Sequence, residues 1–270
     1  MPQSLTAEVG YRNRSTPALT SAPLLTKMPT TICDTECYRD YWLAKFLRHD
    51  TGAEKSFEIY PGSAPLDWRT LWRVLKTYRI VTFNGNNYDL PMIIYAMTLA
   101  KNGWSNENLC LKLKEASDWI ILQNMKSWEF EDNFNIKVPR EIDHIDLIEP
   151  AFGKGSLKLY GGRLHSKKLQ ELPIDPAASI SPEQRLLLSS YCSNDLRTTK
   201  DLFDHLKEQI ELRERMTAGY GIDLRSKSDA QISEAVIKKE LTKVLGDKPA
   251  RPKIVPGISP PTAENSTAPR

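Results

Sequence analysis

Long apolar runs are missing. No stretch approaches the about 18 consecutive apolar residues that a membrane-crossing helix needs, so a bilayer-spanning protein is not expected. The N-terminus lacks the apolar core and small-residue cleavage site of a secretory signal. Cysteine is scarce: Cys33, Cys37, Cys110 and Cys192 form no CxxC pair and no zinc-type grouping with the four histidines, which argues against a zinc module and a disulfide framework. Reduced thiols in a cytoplasmic protein are the expectation. An excess of one charge is missing too. Net charge is only +3, so a nucleic-acid partner has to be argued from local sites. No segment repeats. What is present, 270 residues with 40% hydrophobic content, suits one sizeable globular domain with tails or two small domains.

Residues 1–27 are rich in Ser, Thr and Pro without apolar periodicity, and they are expected to form a disordered leader, with Met28 opening the folded part. From Thr30 the pattern is that of strands: Thr30–Glu36, then Tyr41–Leu47, then Lys55–Tyr60, joined by turn chemistry at His49–Gly52. Three adjacent strands with short links predict an antiparallel meander leading off a central strand. Leu66–Tyr78 has helical apolar spacing, Arg79–Phe83 reads as a strand, and Met92–Ala100 and Asn106–Gln123 read as helices. Residues 124–141 read as an aromatic-bearing loop and Ile142–Ile148 as a strand, with a short helix around Leu157–Tyr160. Ser181-Pro182 opens a long helix, with helical spacing over Leu186–Arg215 and a break near Asp195–Thr199. Gly219-Tyr220-Gly221 is expected to be flexible. Ala230–Leu245 is an amphipathic helix within a connector spanning 216–246, and the Pro-rich residues 247–270 form a disordered tail. Strands alternating with helices after an opening meander predict an α/β fold with a mixed sheet.

Three groups of residues carry candidate chemistry. In Thr30-Thr31-Ile32-Cys33-Asp34-Thr35-Glu36 two acids lie two apart, so a strand points both to one face. Side by side they repel each other, and a divalent cation is the natural neutraliser; a solvated strand end is the plain alternative. In Asn84-Gly85-Asn86-Asn87-Tyr88-Asp89-Leu90-Pro91 a tight turn delivers Asp89 to a helix start, where it can cap the helix, face a cleft, or do both. In Tyr191-Cys192-Ser193-Asn194-Asp195 a Tyr and an Asp lie one helical turn apart on one face. His144 reads as a packed strand residue and Trp68, Trp72 and Trp119 as core.

The order of these three groups resembles the exonuclease motifs of the DEDD superfamily of 3′–5′ exonucleases, in the subgroup with Tyr in the third motif. The likeness runs over about residues 29–215 and is strongest to the proofreading exonuclease module of phage DNA polymerases. The Ile142–Ile148 strand followed by Gly155-Ser156-Leu157-Lys158 is similar to the segment before the third motif, and 226–241 resembles the connector into the polymerase part of such enzymes. The chain ends soon afterwards, so no polymerase module is expected within it.

The resemblance implies a ribonuclease H-like α/β fold over 28–215 and metal-dependent removal of nucleotides from a 3′ end. Asp34, Glu36, Asp89 and Asp195 would hold two Mg²⁺, replaceable by Mn²⁺, with Asp34 shared between them, Glu36 and Asp195 on the ion that activates water, and Asp89 on the other. Tyr191, neutral at pH 7, would orient the attacking water. Thr35, Asn84, Tyr88 and Lys158 would contact substrate, with Phe152 stacking on a base and Lys154, Arg163, Lys167 and Lys168 near the strand. The implied partners are DNA with a single-stranded or frayed 3′ end and a separate polymerase subunit; the implied location is the cytoplasm, the host's if the gene is a phage one. An RNA-trimming exonuclease, or a non-catalytic nucleic-acid-binding module of this fold, would use the same framework.

Overall fold

The computed structural model describes residues 28–153 and 155–249. The expected leader (1–27), Lys154 and residues 250–270 of the expected tail lie outside the described residues. β1 (Thr30–Tyr38), β2 (Tyr41–Arg48) and β3 (Glu54–Ile59) form the antiparallel meander, and β4 (Arg79–Thr82) and β5 (His144–Asp146) add to the other edge of β1 in parallel. The order β3-β2-β1-β4-β5 makes a five-stranded mixed sheet with β1 at its centre. Helices α1 (Trp68–Thr77), α2 (Asp89–Lys101), α3 (Asn106–Gln123) and α4 (Ser127–Asn133) serve one face, and α5 (Leu157–Arg163), α6 (Pro182–His205) and α7 (Lys207–Tyr220) the other. The last helix, α8 (Asp229–Leu245), buries only Ile232 fully. None of the described helices is long and apolar enough to cross a membrane.

The pleat of β1 divides the interior. Cys33 and Cys37 face the larger core, built with Trp42, Phe46, Leu71, Leu75, Ile93 and Leu113. Ile32 and Tyr38 face the other side, where Leu196 and Leu188 of α6 pack. Helix α2 is apolar on every side because it is buried on every side.

Several boundaries differ from the sequence reading. β1 runs two residues past Glu36, because its pairing with β2 continues to Tyr38–Tyr41. The predicted loop 124–141 contains α4: Glu129 reaches back to the Lys126 N–H at 2.7 Å, and Phe130 buries its ring against Phe134 and Tyr95. β5 keeps only three of the seven residues predicted. The helix opened by Ser181 has its capping box with Gln184 but does not break at 195–199; the interruption falls at Leu206, between α6 and α7. Gly219 and Tyr220 are helical, and Gly221, at φ 60°, ends α7.

Candidate metal centre

The central strand outruns one of its neighbours. β1 pairs with β4 only from Thr30 to Ile32, so from Cys33 onward its edge on that side is open. Asp34 and Glu36 lie in this second half, on the face that α6 covers. The turn after β4 brings α2 to the open edge. There the Thr35 hydroxyl donates to Asp89 Oδ1 at 2.6 Å. Tyr88, not Asp89, occupies the N-cap position and makes no side-chain cap, so the carboxylate of Asp89 is turned toward β1 instead of capping its own helix.

From the other side α6 supplies Tyr191, Cys192 and Asp195. A polar network fixes this helix on the sheet. Lys45, opposite Asp34 in the β1–β2 register, donates to the Ser189 carbonyl and hydroxyl, each at 3.0 Å, and to the Ser193 hydroxyl at 2.5 Å, and it pairs with Glu54 at 2.9 Å. The Tyr191 phenol lies close enough to the Asp195 carboxylate to favour the charged form of the acid. The Cys192 thiol donates to Asp34 Oδ2 at 3.5 Å.

The electrostatics are those of crowded acids. Burial, then Asp89, Glu36 and Asp195, push the Asp34 carboxyl well above the usual carboxylate range. Burial, then Asp195 and Asp89, push Glu36 up to about 8. Asp89 rises to about 7, mainly by burial, against the opposing hydrogen bond from Thr35. Asp195 also rises by burial, opposed by Tyr191, Asn194 and the charge of Lys158. Burial and the charges of Asp195 and Glu36 hold the Tyr191 phenol above its ordinary value, hence neutral near pH 7. Among the described residues no Lys or Arg forms an ion pair with any of the four acids; Lys45 is committed to Glu54. A largely covered, oxygen-rich acidic cluster with no ion-paired protein cation could hold a hard divalent ion such as Mg²⁺. The tightest subset is Asp34, Glu36 and Cys192, each offering one ligand atom, all within 4.8 Å of one another.

Two residues of this region were not picked out from sequence. Cys192 stood inside the third motif without a role; its place three residues before Asp195 was the available signal. Asp146, fully buried in β5, holds the turn that delivers Asp89. Its Oδ1 accepts the N–H groups of Asn84 (2.8 Å) and Ile148 (3.1 Å), and its Oδ2 that of Asn86 (2.9 Å). A carboxylate in the middle of a short apolar strand was the signal. Asn84 adopts φ 67°, a left-handed conformation that Asn tolerates. Gly85 approaches Thr82 so closely that an added Cβ would overlap the Thr82 side chain.

The expected substrate contacts are placed variously. Thr35 is buried and engaged by Asp89, and the Tyr88 phenol is bonded to Ser117 at 2.6 Å. The Asn84 side chain accepts from Asn87 at 3.3 Å. Lys158 of α5 is near enough to Asp195 to favour its charge, while its Nζ meets Glu171 at 2.7 Å. Phe152 is 92% exposed, on the segment that leads to α5. Arg163 lies over the Tyr160 ring, and Lys167 and Lys168 are exposed. His144 is buried, bonded to Thr82 at 2.8 Å and pushed down to about 3 by burial, as a packed residue should be. Trp68 and Trp72 pack on the core, but Trp119 is 41% exposed beside Phe134. All four cysteines are free and buried. A separate cavity of about 360 Å³, lined by Met28, His49, Arg79 and Phe203, lies at the opposite end of β1.

Set against known proteins, the chain matches no family model, no curated protein and no solved structure.

Proposed function

We propose that this protein is a metal-dependent 3′–5′ exonuclease with a ribonuclease H-like fold, acting on the single-stranded or frayed 3′ end of DNA. One observation carries the reading. Acids from three distant segments, Asp34 and Glu36 of β1, Asp89 of α2 and Asp195 of α6, are gathered into one cluster, Glu36 and Asp89 buried and Asp34 and Asp195 half-buried, with Tyr191 at its edge. That set is the one the DEDD resemblance implies. Four mutually repelling acids held together, two of them buried, are hard to account for by stability alone. The opening meander on a central strand also agrees with the implied fold.

Asp34, Glu36, Asp89 and Asp195 would hold the divalent ions, which supply charge neutralisation at the phosphate and a lowered pKa for water. The chain's own groups do the rest. Thr35 holds Asp89 in place through its hydroxyl. Tyr191, neutral and anchored on the helix that carries Asp195, orients the attacking water. Water adds to phosphorus as the bond to the 3′ oxygen breaks. The shortened strand keeps a 3′-hydroxyl and a nucleoside monophosphate leaves.

The test is a gel assay with 5′-labelled single-stranded DNA, matched RNA and a duplex with a mismatched 3′ end. With Mg²⁺ a ladder should shorten from the 3′ end of DNA, faster where the end is unpaired, and chelator should stop it. Asp34→Ala should abolish the ladder while the protein stays folded. Faster loss of RNA would move the substrate to RNA; no ladder on any of the three would leave a binding module.

A further inference from the structure

Cys192 gives the cluster a chemistry that four carboxylates alone would not have. Its sulfur is fully buried, between the apolar packing of Tyr38, Tyr41, Leu43 and Leu188 and the carboxylate of Asp34. Glu36 is the second observation. Its side chain is more than nine-tenths buried, and its carboxylate has no hydrogen-bond or ion-pair partner among the described residues. It nevertheless shares with Asp34 and Cys192 a space in which all three donor atoms lie within 4.8 Å. The Tyr38 hydroxyl, on the same strand face, is also buried without a partner.

We propose that Asp34, Glu36 and Cys192 form a site for a thiophilic divalent ion of the Zn²⁺ or Cd²⁺ type, which competes with the hard ion for Asp34 and Glu36. Two oxygens and one sulfur are a donor set that Mg²⁺ does not favour and Zn²⁺ does. Three protein ligands leave a fourth position open, as in exchangeable zinc sites. Asp34 is only partly covered, so it is the side from which an ion enters. On binding, the thiol releases one proton to solvent and the thiolate takes its place as ligand. The consequence is regulatory: a trace thiophilic ion would hold the centre in an inactive form that Mg²⁺ does not readily displace. This rests on reading the cluster as a metal centre, but not on its being a nuclease.

The probe is Cd²⁺ added to the full chain, followed by the sulfur-to-cadmium charge-transfer band in the ultraviolet and by proton release. The wild type should show the band with release of protons, and Cys192→Ser should release fewer per ion. Cys192→Ser should lose the band and weaken Cd²⁺ binding by more than the about 10-fold to 100-fold typical of an outer-sphere change. Cys110→Ser, remote in α3, should keep both. If Cys192→Ser melts out, the ¹¹³Cd chemical shift of the wild type replaces it as the measure of sulfur ligation. A band unchanged in folded Cys192→Ser, or a cadmium shift in the all-oxygen range, overturns the proposal. A positive band with no nuclease ladder would support the site and sink only the exonuclease reading.

Discussion

Glu36 and Asp89 set the sign of the pH response. Both carboxyls are held up in the folded protein, to about 8 and about 7, mainly by burial, whereas the unfolded chain titrates them near 4.5 and 3.8. Between those limits the native state binds more protons than the unfolded one, so stability falls as pH rises. Without metal, the melting temperature should drop by several degrees from about pH 5 to about pH 8.5. Mg²⁺ should stabilise most at the alkaline end, where the acids are charged and bind it best. Thermal melts in chelator and in Mg²⁺ measure this; a melting temperature in chelator that is flat or rises with pH would remove the buried-acid account. Tyr191→Phe is the second residue-scale expectation. It keeps the ring in place between α6 and the cluster and removes only the hydroxyl. Cleavage should slow by about 10²-fold to 10⁴-fold, the range for a positioned proton-transfer or water-orienting group. KM should hardly move, since the proposed role is in the reacting step. An equal loss of binding would show that Tyr191 holds substrate rather than water.

The elements show why part of the site was legible and part was not. Asp34 and Glu36 could be read because strand periodicity is strictly local, and Tyr191 with Asp195 because helical spacing is too. Asp146 could not, because its role depends on β5 lying beside β4, a pairing that joins residues some sixty positions apart. The same limit hid α4, whose seven residues are held by Phe130 packing on Phe134 and Tyr95 rather than by a long apolar period. The break placed at 195–199 does not occur, because within that turn Asp195 faces the site and Thr198 meets Gly161 of α5, so the helix is held there by packing. The turn between β4 and α2 is the element most exposed to a single change. Gly85→Ala would drive a methyl group into Thr82, whose hydroxyl already accepts the Gly85 N–H at 3.1 Å and bonds His144. Overpacking of this kind destabilises by about 1–3 kcal/mol. Because the turn ends at Asp89, Mg²⁺ affinity by calorimetry should fall along with the melting temperature. A folded Gly85→Ala protein with unchanged Mg²⁺ affinity would show that the turn does not set the position of Asp89.

At the scale of the whole molecule, the stretch after α7 is tied to the sheet more firmly than its composition suggested. The Asp146 N–H donates to Ser226 Oγ at 2.9 Å, so residues 222–228 lie along the outer edge of β5. Arg225 pairs with Asp143 and, at 2.7 Å, with Asp223, while Arg79 joins Asp143 at 3.1 Å and also pairs with Glu214. Arg213 of α7, itself buried, donates to the Lys227 carbonyl at 3.1 Å and to Asp229 at 2.6 Å. β4, β5, α7 and the segment leading to α8 are thereby one half-buried ionic network. Charge-assisted hydrogen bonds of this sort contribute about 1.5–3 kcal/mol each when a partner is removed. Two truncations separate the parts. Removing 247–270, which carries no apolar pattern, should leave the melting temperature and the ladder unchanged. Removing 222–270 takes away Arg225 and Ser226, leaves Asp143 and the buried Arg213 partly unpaired, and bares the edge of the strand that holds Asp146. The protein should melt several degrees lower and cleave more slowly. The loss should be greatest at low Mg²⁺ and partly recovered at high Mg²⁺, because the damage reaches the acids through the turn at Asn84–Asn86. Equal melting temperatures for the two truncations would mean that residues 222–246 are an appendage after all, and that the sheet and its acids stand without them.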